Sequence, residues 1–266
     1  MQDKQVIGMV HFSPLEGDPN FPGKETVLHR AEEDLSALVE GGVDAVLFEN
    51  NFDNPKFETL PKEQACHFSE LVEKLTQKLS LPWGISALWN DYELGFRLCR
   101  DHGGEMVRVP VFVDSVETVY GTFLADPARV LRLRSECGAD EVKILADVQV
   151  KHAKMLHPRL LSESVCEAVD AGADTIVITG TWTGDPPTLE RIREARCAVG
   201  EKKLYVGSGM TAENINDFLP YIDGCIVGTA FKAMRGTNAD GPNVVGQGVR
   251  YDQEHIRGFM NAVRGR

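Results

Sequence analysis

The 266-residue sequence contains no long apolar run and no excess of basic residues. No stretch approaches the ~18 apolar residues that a membrane-spanning helix requires, so we expect no integral membrane segment. The apolar stretch at 6–10 is too short for the core of a signal peptide, and no small-residue cleavage site follows it. Lys and Arg number 28 against 40 Asp and Glu, which gives a net charge of −12. Because nucleic-acid surfaces are basic, we expect no nucleic-acid partner.

Cysteine pairs with metal-type spacing are also missing. The chain has six cysteines, and none of them stands in a C-x-x-C pair. Neither a zinc site nor a thioredoxin-like redox motif is therefore predicted. Cysteines without a disulfide framework are typical of a reducing compartment, so we expect a cytoplasmic protein.

The chain does contain a regular alternation of short β-branched runs and longer amphipathic runs. Eight strands are predicted at 6–12, 45–50, 83–88, 106–112, 141–148, 175–180, 204–209 and 224–231. Eight helices are predicted at 26–40, 62–79, 91–101, 126–136, 161–171, 188–199, 212–219 and 252–263. The strands are nearly continuous apolar runs, which is typical of parallel strands buried on both faces. We predict an α/β fold in which residues 1–266 form a single (β/α)8 TIM barrel.

The connections that follow the predicted strands are long, whereas those that follow the helices are only a few residues. The first spans 13–25 and the last 232–251. In TIM barrels the active face is built from the loops after the strands. We therefore expect the functional residues at the carboxyl ends of the eight strands.

Glycines cluster at the ends of the seventh and eighth predicted strands. The residues are Gly207, Ser208 and Gly209 after the seventh strand, and Gly228 and Thr229 after the eighth. Thr211 is predicted to cap the helix that follows. Glycines let backbone N–H groups approach an anion, and a helix N-terminus adds partial positive charge. The sequence predicts a phosphate-binding site here, and the alternative is that these glycines only form tight turns.

Polar residues close several other predicted strands, and Arg108 interrupts the fourth. The residues at strand ends are His11, Glu49, Asn50, Asp147 with Lys151 and His152 just beyond it, and Thr179 with Gly180. A carboxylate at a strand end can act as a general base, and a nearby Lys or His as the acid. Asp147 is the predicted base, and Lys151 or His152 the predicted acid.

The remaining polar residues are expected to handle the substrate. Glu49 and Arg108 would orient it or stabilise developing charge. Four further residues are predicted to contact it: His11, Asn50, Thr179 and Gly180. Alternatively, these side chains are paired charges that neutralise one another at the barrel mouth.

A divalent cation is a further alternative. Glu49, Asp147 and His152 could hold it through oxygens and imidazole, which would favour a metal-dependent phosphohydrolase. No other cofactor is predicted.

Lys143 precedes Asp147 on the same face of the fifth predicted strand. It is therefore expected deeper in the barrel, paired with an interior carboxylate. Alternatively, it is a lysine with a lowered pKa that forms a Schiff base.

The sequence resembles the BtpA family over nearly its whole length. The stretches that support this are GMVHFSPL at 8–15, ENNFDNP at 49–55, ILADVQVKHA at 144–153 and TGTWTGDPP at 179–187. The resemblance implies a TIM-like barrel related to phosphate-binding barrels, without implying a particular reaction. The chain resembles a divergent member, because the family usually has Asn, Arg and Asn where this chain has Ser86, Trp89 and Pro110.

Together these features predict an enzyme that acts on a small phosphorylated metabolite, either a sugar phosphate or a nucleotide. Isomerisation, aldol cleavage and phosphate hydrolysis are all compatible with the candidate residues. A non-catalytic assembly or stabilising factor is the alternative, and it would show an apolar patch on the helical exterior and a closed mouth. A homo-oligomer is compatible with either function.

Overall fold

Eight parallel strands form a closed barrel in the computed structural model, which describes residues 4–233 and 249–265. The strands are β1 (Gln5–His11), β2 (Ala45–Glu49), β3 (Trp83–Ser86), β4 (Met106–Val109), β5 (Lys143–Val148), β6 (Thr175–Ile178), β7 (Lys203–Val206) and β8 (Gly224–Val227). Each strand pairs with its neighbours in chain order, and β8 pairs with β1 to close the ring. The predicted TIM barrel is thus confirmed.

Helices follow the strands around the outside of the barrel. They are α1 (Lys24–Gly41), α2 (Lys62–Thr76), α3 (Tyr92–His102), α4 (Pro127–Glu136), α5 (Leu161–Asp170), α6 (Leu189–Ala198), α7 (Ile215–Phe218) and α8 (Gln253–Arg264). Side chains that accept from backbone N–H groups fix several starts, such as Asp91 on Leu94 N at 3.2 Å. Most of the connection at 232–251 lies outside the described residues.

The seventh helix differs from its prediction. It has only four residues and begins after Asn214, whose side chain makes no capping hydrogen bond to the helix. Asn214 Oδ1 accepts from Thr211 N at 2.9 Å, and its Nδ2 donates to Gly209 O at 2.9 Å. Thr211 is therefore not a helix cap, and no full helix N-terminus faces this part of the mouth.

The barrel interior is apolar below the mouth and polar at it. The lower interior is filled by Ile7, Met9, Ala45, Leu47, Met106, Leu145, Val177, Tyr205 and Ile226. In register, His11 lies beside Glu49 on β2, and Glu49 lies beside Ser86 on β3. Because alternate residues of a strand face the same way, these three side chains continue the interior upward. The polar layer is therefore set directly by the barrel ladder.

Lys143 does not lie where it was predicted, in the barrel interior. It is exposed at the first position of β5, whereas the rest of the strand is buried. The strand begins there, at the end of the barrel opposite the mouth, so the long side chain reaches solvent. Lys143 is therefore neither an interior partner for a carboxylate nor a buried Schiff-base lysine.

A small antiparallel sheet at the mouth was not predicted. Its strands are Val116–Thr118, Gly121–Phe123 and Lys154–Met155, from the connections that follow β4 and β5. We call it the mouth sheet. It has its own apolar cluster, in which Trp89 stacks on Phe123 with ring centroids 5.7 Å apart.

No helix in the described part of the chain is long and apolar enough to cross a membrane.

Candidate functional site

A cavity of about 330 Å³ lies at the mouth of the barrel. This volume is at the lower end of the ~300–1,000 Å³ range of small-ligand pockets. All the predicted site residues line the cavity except Asn50, Thr179 and Gly180. The strand ends thus bring the charged candidates and the glycine-rich segments to one space.

Arg108 and Asp147 form a buried bidentate ion pair at the base of the cavity. Arg108 Nε and Nη2 donate to the two carboxylate oxygens of Asp147 at 2.9 and 2.8 Å. Burial alone would lower the pKa of Arg108, but Asp147 and then Glu49 outweigh it and raise that pKa, so the guanidinium stays charged. Both Asp147 oxygens are occupied, so this carboxylate fixes Arg108 and is poorly placed to serve as the predicted general base.

Glu49 is the second carboxylate in the cavity, and its oxygens are less committed. Ser86 Oγ donates to Glu49 Oε2 at 2.8 Å, and Arg108 Nη1 lies 4.0 Å from the same oxygen. His11 Nε2 lies 3.5 Å from Glu49 Oε1. Glu49 is therefore the better candidate for a proton acceptor.

His11 is a neutral imidazole beside this carboxylate. Burial, followed by the positive charges of Lys232 and Lys151, holds its pKa well below the usual range. Its Nδ1 is buried and has no hydrogen-bond partner among the described residues. An unsatisfied ring nitrogen in a cavity wall is expected to gain a partner from bound ligand or water.

Lys151 and His152 follow β5 and reach the cavity from one side. Burial and the neighbouring Arg108 lower the pKa of Lys151 to about 8. Burial and Lys151 lower the pKa of His152 to about 4, so this ring is neutral at pH 7. His152 Nε2 lies 2.8 Å from Thr183 Oγ1. Of the two predicted acids, Lys151 is thus the one that is largely protonated near neutral pH.

The proposed metal ligands do not form a metal site. Among the described residues, no three His, Cys, Asp or Glu side chains are grouped so that they could hold a metal ion. Both carboxylate oxygens of Asp147 accept from Arg108, so Asp147 does not serve as a metal ligand together with Glu49 and His152.

The glycines after β7 and β8 shape a second wall, beside the charged residues. A Cβ on Gly228 would lie 2.7 Å from His11 Cε1, and one on Gly207 would lie 2.8 Å from Val177 Cγ1. Only glycine fits at these inward positions without displacing its neighbours. The wall therefore presents backbone to the cavity.

Gly209 and Ser208 also join two loops. Gly209 has φ +71°, and a Cβ there would lie 2.1 Å from Pro186 N. Ser208 Oγ donates to Asp185 O and accepts from Gly180 N, both at 2.9 Å. The backbone N–H groups of Gly209 and Met210 donate to no residue within 4–233 or 249–265. The close packing thus leaves backbone donors in the cavity wall.

The three predicted residues outside the cavity organise the loops. Asn50 Nδ2 donates to Leu88 O at 3.1 Å, and its Oδ1 accepts from Leu88 N at 2.7 Å. Thr179 Oγ1 accepts from Lys151 N at 3.0 Å. Gly180 approaches Asp185 so closely that a Cβ would lie 2.1 Å from its carbonyl oxygen. These contacts support the site from behind.

Two lysines that were not predicted as site residues line the cavity. Lys56 Nζ donates to Asp53 O at 2.8 Å, and burial lowers its pKa. Lys232 is 3% exposed, and burial lowers its pKa to about 8. Their position in loops after strands was the only available signal.

Trp89 also lines the cavity. Its position on a mouth-side loop predicts either stacking on a ligand ring or packing as a lid. Its buried Nε1 has no partner in the described ranges.

The cavity is positively charged although the protein is acidic. Its lining includes four lysine or arginine side chains and two carboxylates. The four are Lys56, Arg108, Lys151 and Lys232. Cations held in a low-dielectric cleft concentrate the local field on an anionic ligand. The net charge of −12 therefore resides elsewhere on the molecule.

Comparison with known proteins shows which family this chain belongs to. The family model described as "BtpA family" matches residues 2–264. The photosystem I biogenesis protein BtpA of Synechocystis is 34% identical, covering 88% of this chain and 82% of the relative. An uncharacterised protein of Pyrococcus furiosus is 35% identical, covering 86% and 87%.

Solved structures show the same fold at low identity. Tryptophan synthase of Mycobacterium tuberculosis aligns with a TM-score of 0.64 and 14% identity, covering 99% of this chain and 93% of that one. Phosphoribosylanthranilate isomerase of Thermotoga maritima aligns with a TM-score of 0.57 and 13% identity, covering 99% and 100%.

Proposed function

The chain is a member of the BtpA family, and we propose that it is an enzyme acting on a small phosphorylated metabolite, a sugar phosphate or a nucleotide. One observation supports this proposal above the others: a cavity at the barrel mouth is lined by four cationic side chains, two carboxylates and a glycine wall. Such a cavity suits an anionic group held beside acid–base residues.

The phosphate would lie against the wall formed after β7 and β8. Gly209, Met210, Gly228 and Thr229 supply backbone to this wall, and Lys232 adds a positive charge. Backbone N–H groups and a nearby cation are the donors that phosphate oxygens prefer. The acidic surface does not prevent binding, because the cavity cations act at short range.

The reacting part of the substrate would face the opposite wall. Glu49 would accept a proton there, and Lys151 would return one. Arg108, held by Asp147, would orient the substrate and stabilise negative charge as it develops. The structural relatives give weaker support, because their similarity is one of fold; the name of one of them contains a phosphoribosyl group.

Calorimetry and substrate profiling test this function. Wild-type protein should bind inorganic phosphate and turn over at least one member of a sugar-phosphate and nucleotide panel. Glu49→Gln should keep phosphate binding but lose turnover by roughly 10²–10⁴-fold, the usual contribution of a general base. Glu117→Gln, on an exposed residue of the mouth sheet, is the matched control and should behave as wild type.

Failure of inorganic phosphate and every panel compound to bind would reject the proposal. The alternative of a non-catalytic assembly factor would then gain weight, since one relative is named for photosystem I biogenesis. Its expected signs are not prominent: the mouth contains a cavity, and exposed apolar residues such as Val119, Leu124 and Trp182 lie on mouth loops more than on helices. The cytoplasmic location and self-association stay predictions.

A further inference from the structure

Three lysines line the cavity, and their ammonium groups have different surroundings. Lys56 Nζ donates to Asp53 O and lies 5.5 Å from the centre of the Tyr120 ring. Lys232 Nζ lies 5.0 Å from the centre of the Phe52 ring. Lys151 Nζ forms no hydrogen bond or ion pair with any residue that the structure describes. Lys151 therefore has the least committed side-chain nitrogen of the three.

The backbone at Lys151 is fixed although its side chain is not. Its N–H donates to Thr179 Oγ1 at 3.0 Å. The flanking residues Gln149 and His152 have φ values of +50° and +61°, which form a tight turn directly after β5. His152 N donates to Thr181 O at 3.2 Å and ties this turn to the next loop. The Lys151 side chain thus projects from a rigid base into the cavity.

Burial, and after it the charge of Arg108, lower the pKa of Lys151. Glu49 and Asp147 act against this shift, because a carboxylate attracts an ammonium group. Asp147 is already paired with Arg108, so its negative charge is largely neutralised by the guanidinium and attracts the Lys151 ammonium less. With a pKa of about 8, the uncharged fraction of Lys151 at pH 7 is roughly two hundredfold that of an ordinary lysine.

We propose that Lys151 is a nucleophile that forms an imine with the substrate, which narrows the substrate class to phosphorylated aldehydes and ketones. The proposal rests on the proposed function, because the glycine wall and Lys232 would hold the phosphate while the carbonyl carbon meets Lys151. A buried lysine whose nitrogen forms no hydrogen bond or ion pair within the described residues, beside a carboxylate, is an arrangement that suits imine chemistry.

The chemical step is balanced without any further reactant. The lone pair of Nζ forms a bond to the carbonyl carbon, and the carbonyl oxygen takes a proton to give a carbinolamine. The two hydrogens of the amine leave with that oxygen as water, and a C=N bond replaces the C=O bond. The imine nitrogen then takes up a proton, which acidifies the neighbouring C–H, and Glu49 would accept the proton of that C–H. Because the Lys151 nitrogen is bonded to the substrate at this stage, Glu49 rather than Lys151 would return the proton. Hydrolysis by the same water releases the product and restores Lys151.

Reductive trapping tests this inference. Full-length protein is incubated with dihydroxyacetone phosphate or ribose 5-phosphate, reduced with borohydride, and measured by intact mass and peptide mapping. We expect one stable adduct, mapped to Lys151 and suppressed by excess inorganic phosphate. Lys151→Arg should lose the adduct, whereas Lys154→Arg, an exposed lysine in the mouth sheet, should keep it. Circular dichroism of both variants checks their folding.

Calorimetry with the same two probes separates the two proposals. Binding without an adduct at Lys151, or an adduct at Lys56 or Lys232 in its place, would overturn the role of Lys151 and leave the proposed function standing. Absence of binding by both probes and by inorganic phosphate would overturn the proposed function and the imine together. Because the adduct is mapped in the wild-type chain, the assignment of the modified lysine does not depend on the folding of a variant.

Discussion

The barrel mouth has two walls that are built in opposite ways. On one side β1, β2, β4 and the turn after β5 contribute His11, Glu49, Arg108 and Lys151. On the other side β7 and β8 end in Gly207 and Gly228, where even a Cβ would collide with a neighbour. The charged wall holds groups that can move protons, whereas the glycine wall offers backbone and space. Under the proposed function, this division would separate the reacting groups from the groups that hold the phosphate.

The largest effect is expected from breaking the charged wall at its base. Asp147→Ala would leave Arg108 buried with only Glu49 at 4.0 Å, and removing one partner of a buried pair costs about 3–5 kcal/mol of unfolding free energy. Urea denaturation measures the change. Glu93→Ala, which breaks the exposed pair with Arg97, is the control and should cost about 0–1 kcal/mol. Equal costs for the two variants would show that the buried pair is not a structural base.

The glycine wall should be damaged by a single methyl group. Gly209→Ala places a Cβ against Pro186 N at a positive φ, so we expect a loss of about 3 kcal/mol and much weaker phosphate binding. Gly42→Ala also has a positive φ but nothing within 4 Å, and should cost only about 1–2 kcal/mol. If the two variants unfold alike and bind phosphate alike, close packing of the glycine wall is not important.

Raising the pH should weaken anion binding through the lysines alone. The pKa values of Lys151 and Lys232 are lowered to about 8, so both are charged below that pH and lose charge above it. Sulfate stays a dianion over this range, and we expect its affinity to fall roughly tenfold as the pH rises through about 8. Calorimetry of sulfate in Lys232→Met should show a shallower fall. A sulfate affinity that does not change with pH would show that Lys151 and Lys232 do not contribute to anion binding.

The smallest change concerns one hydroxyl beside Glu49. Ser86→Ala removes the donor 2.8 Å from Glu49 Oε2, and we expect a loss of about 1 kcal/mol in the free energy of unfolding, measured by urea denaturation. Ser69→Ala is the control, because its hydroxyl donates to its own helix at Ala65 O, and it should cost less. Equal costs for the two variants would show that the contact with Glu49 adds nothing to stability.

The sequence was a good guide to the barrel, because continuous apolar runs such as those of β1 and β6 have few other stable arrangements. It was a poorer guide to short elements. The strand Lys154–Met155 has only two residues and pairs with the distant strand Val116–Thr118. A strand this short has no hydrophobic periodicity from which it could be predicted. The segment before the short α7 is likewise tied by Asn214, whose side chain bonds Thr211 N and Gly209 O, and such local side-chain contacts are not visible in a hydrophobic pattern.

The site was predicted unevenly for a similar reason. Position at a strand end for Glu49 and Asp147, and the interruption of the fourth strand for Arg108, correctly predicted that these side chains line one cavity. The register of the parallel strands is enough to bring them together. The sequence does not show which donor each carboxylate oxygen accepts from, because this depends on side-chain geometry. Asp147 was therefore predicted to be the general base, whereas in the structure both of its oxygens accept from Arg108. Lys56 and Lys232 lie in loops, where no periodic pattern predicts which way a side chain points.

The mouth sheet shares no strand ladder with the barrel in the part of the chain that the structure describes. It rests on the site through Trp89, which lines the cavity on one side and packs into the sheet on the other. Its three short strands can therefore be lengthened, exchanged or recombined between related chains without rewriting the eight-stranded frame. If the proposed ligand binds in the cavity, the mouth sheet is the part beside it that can be changed without altering the barrel ladder.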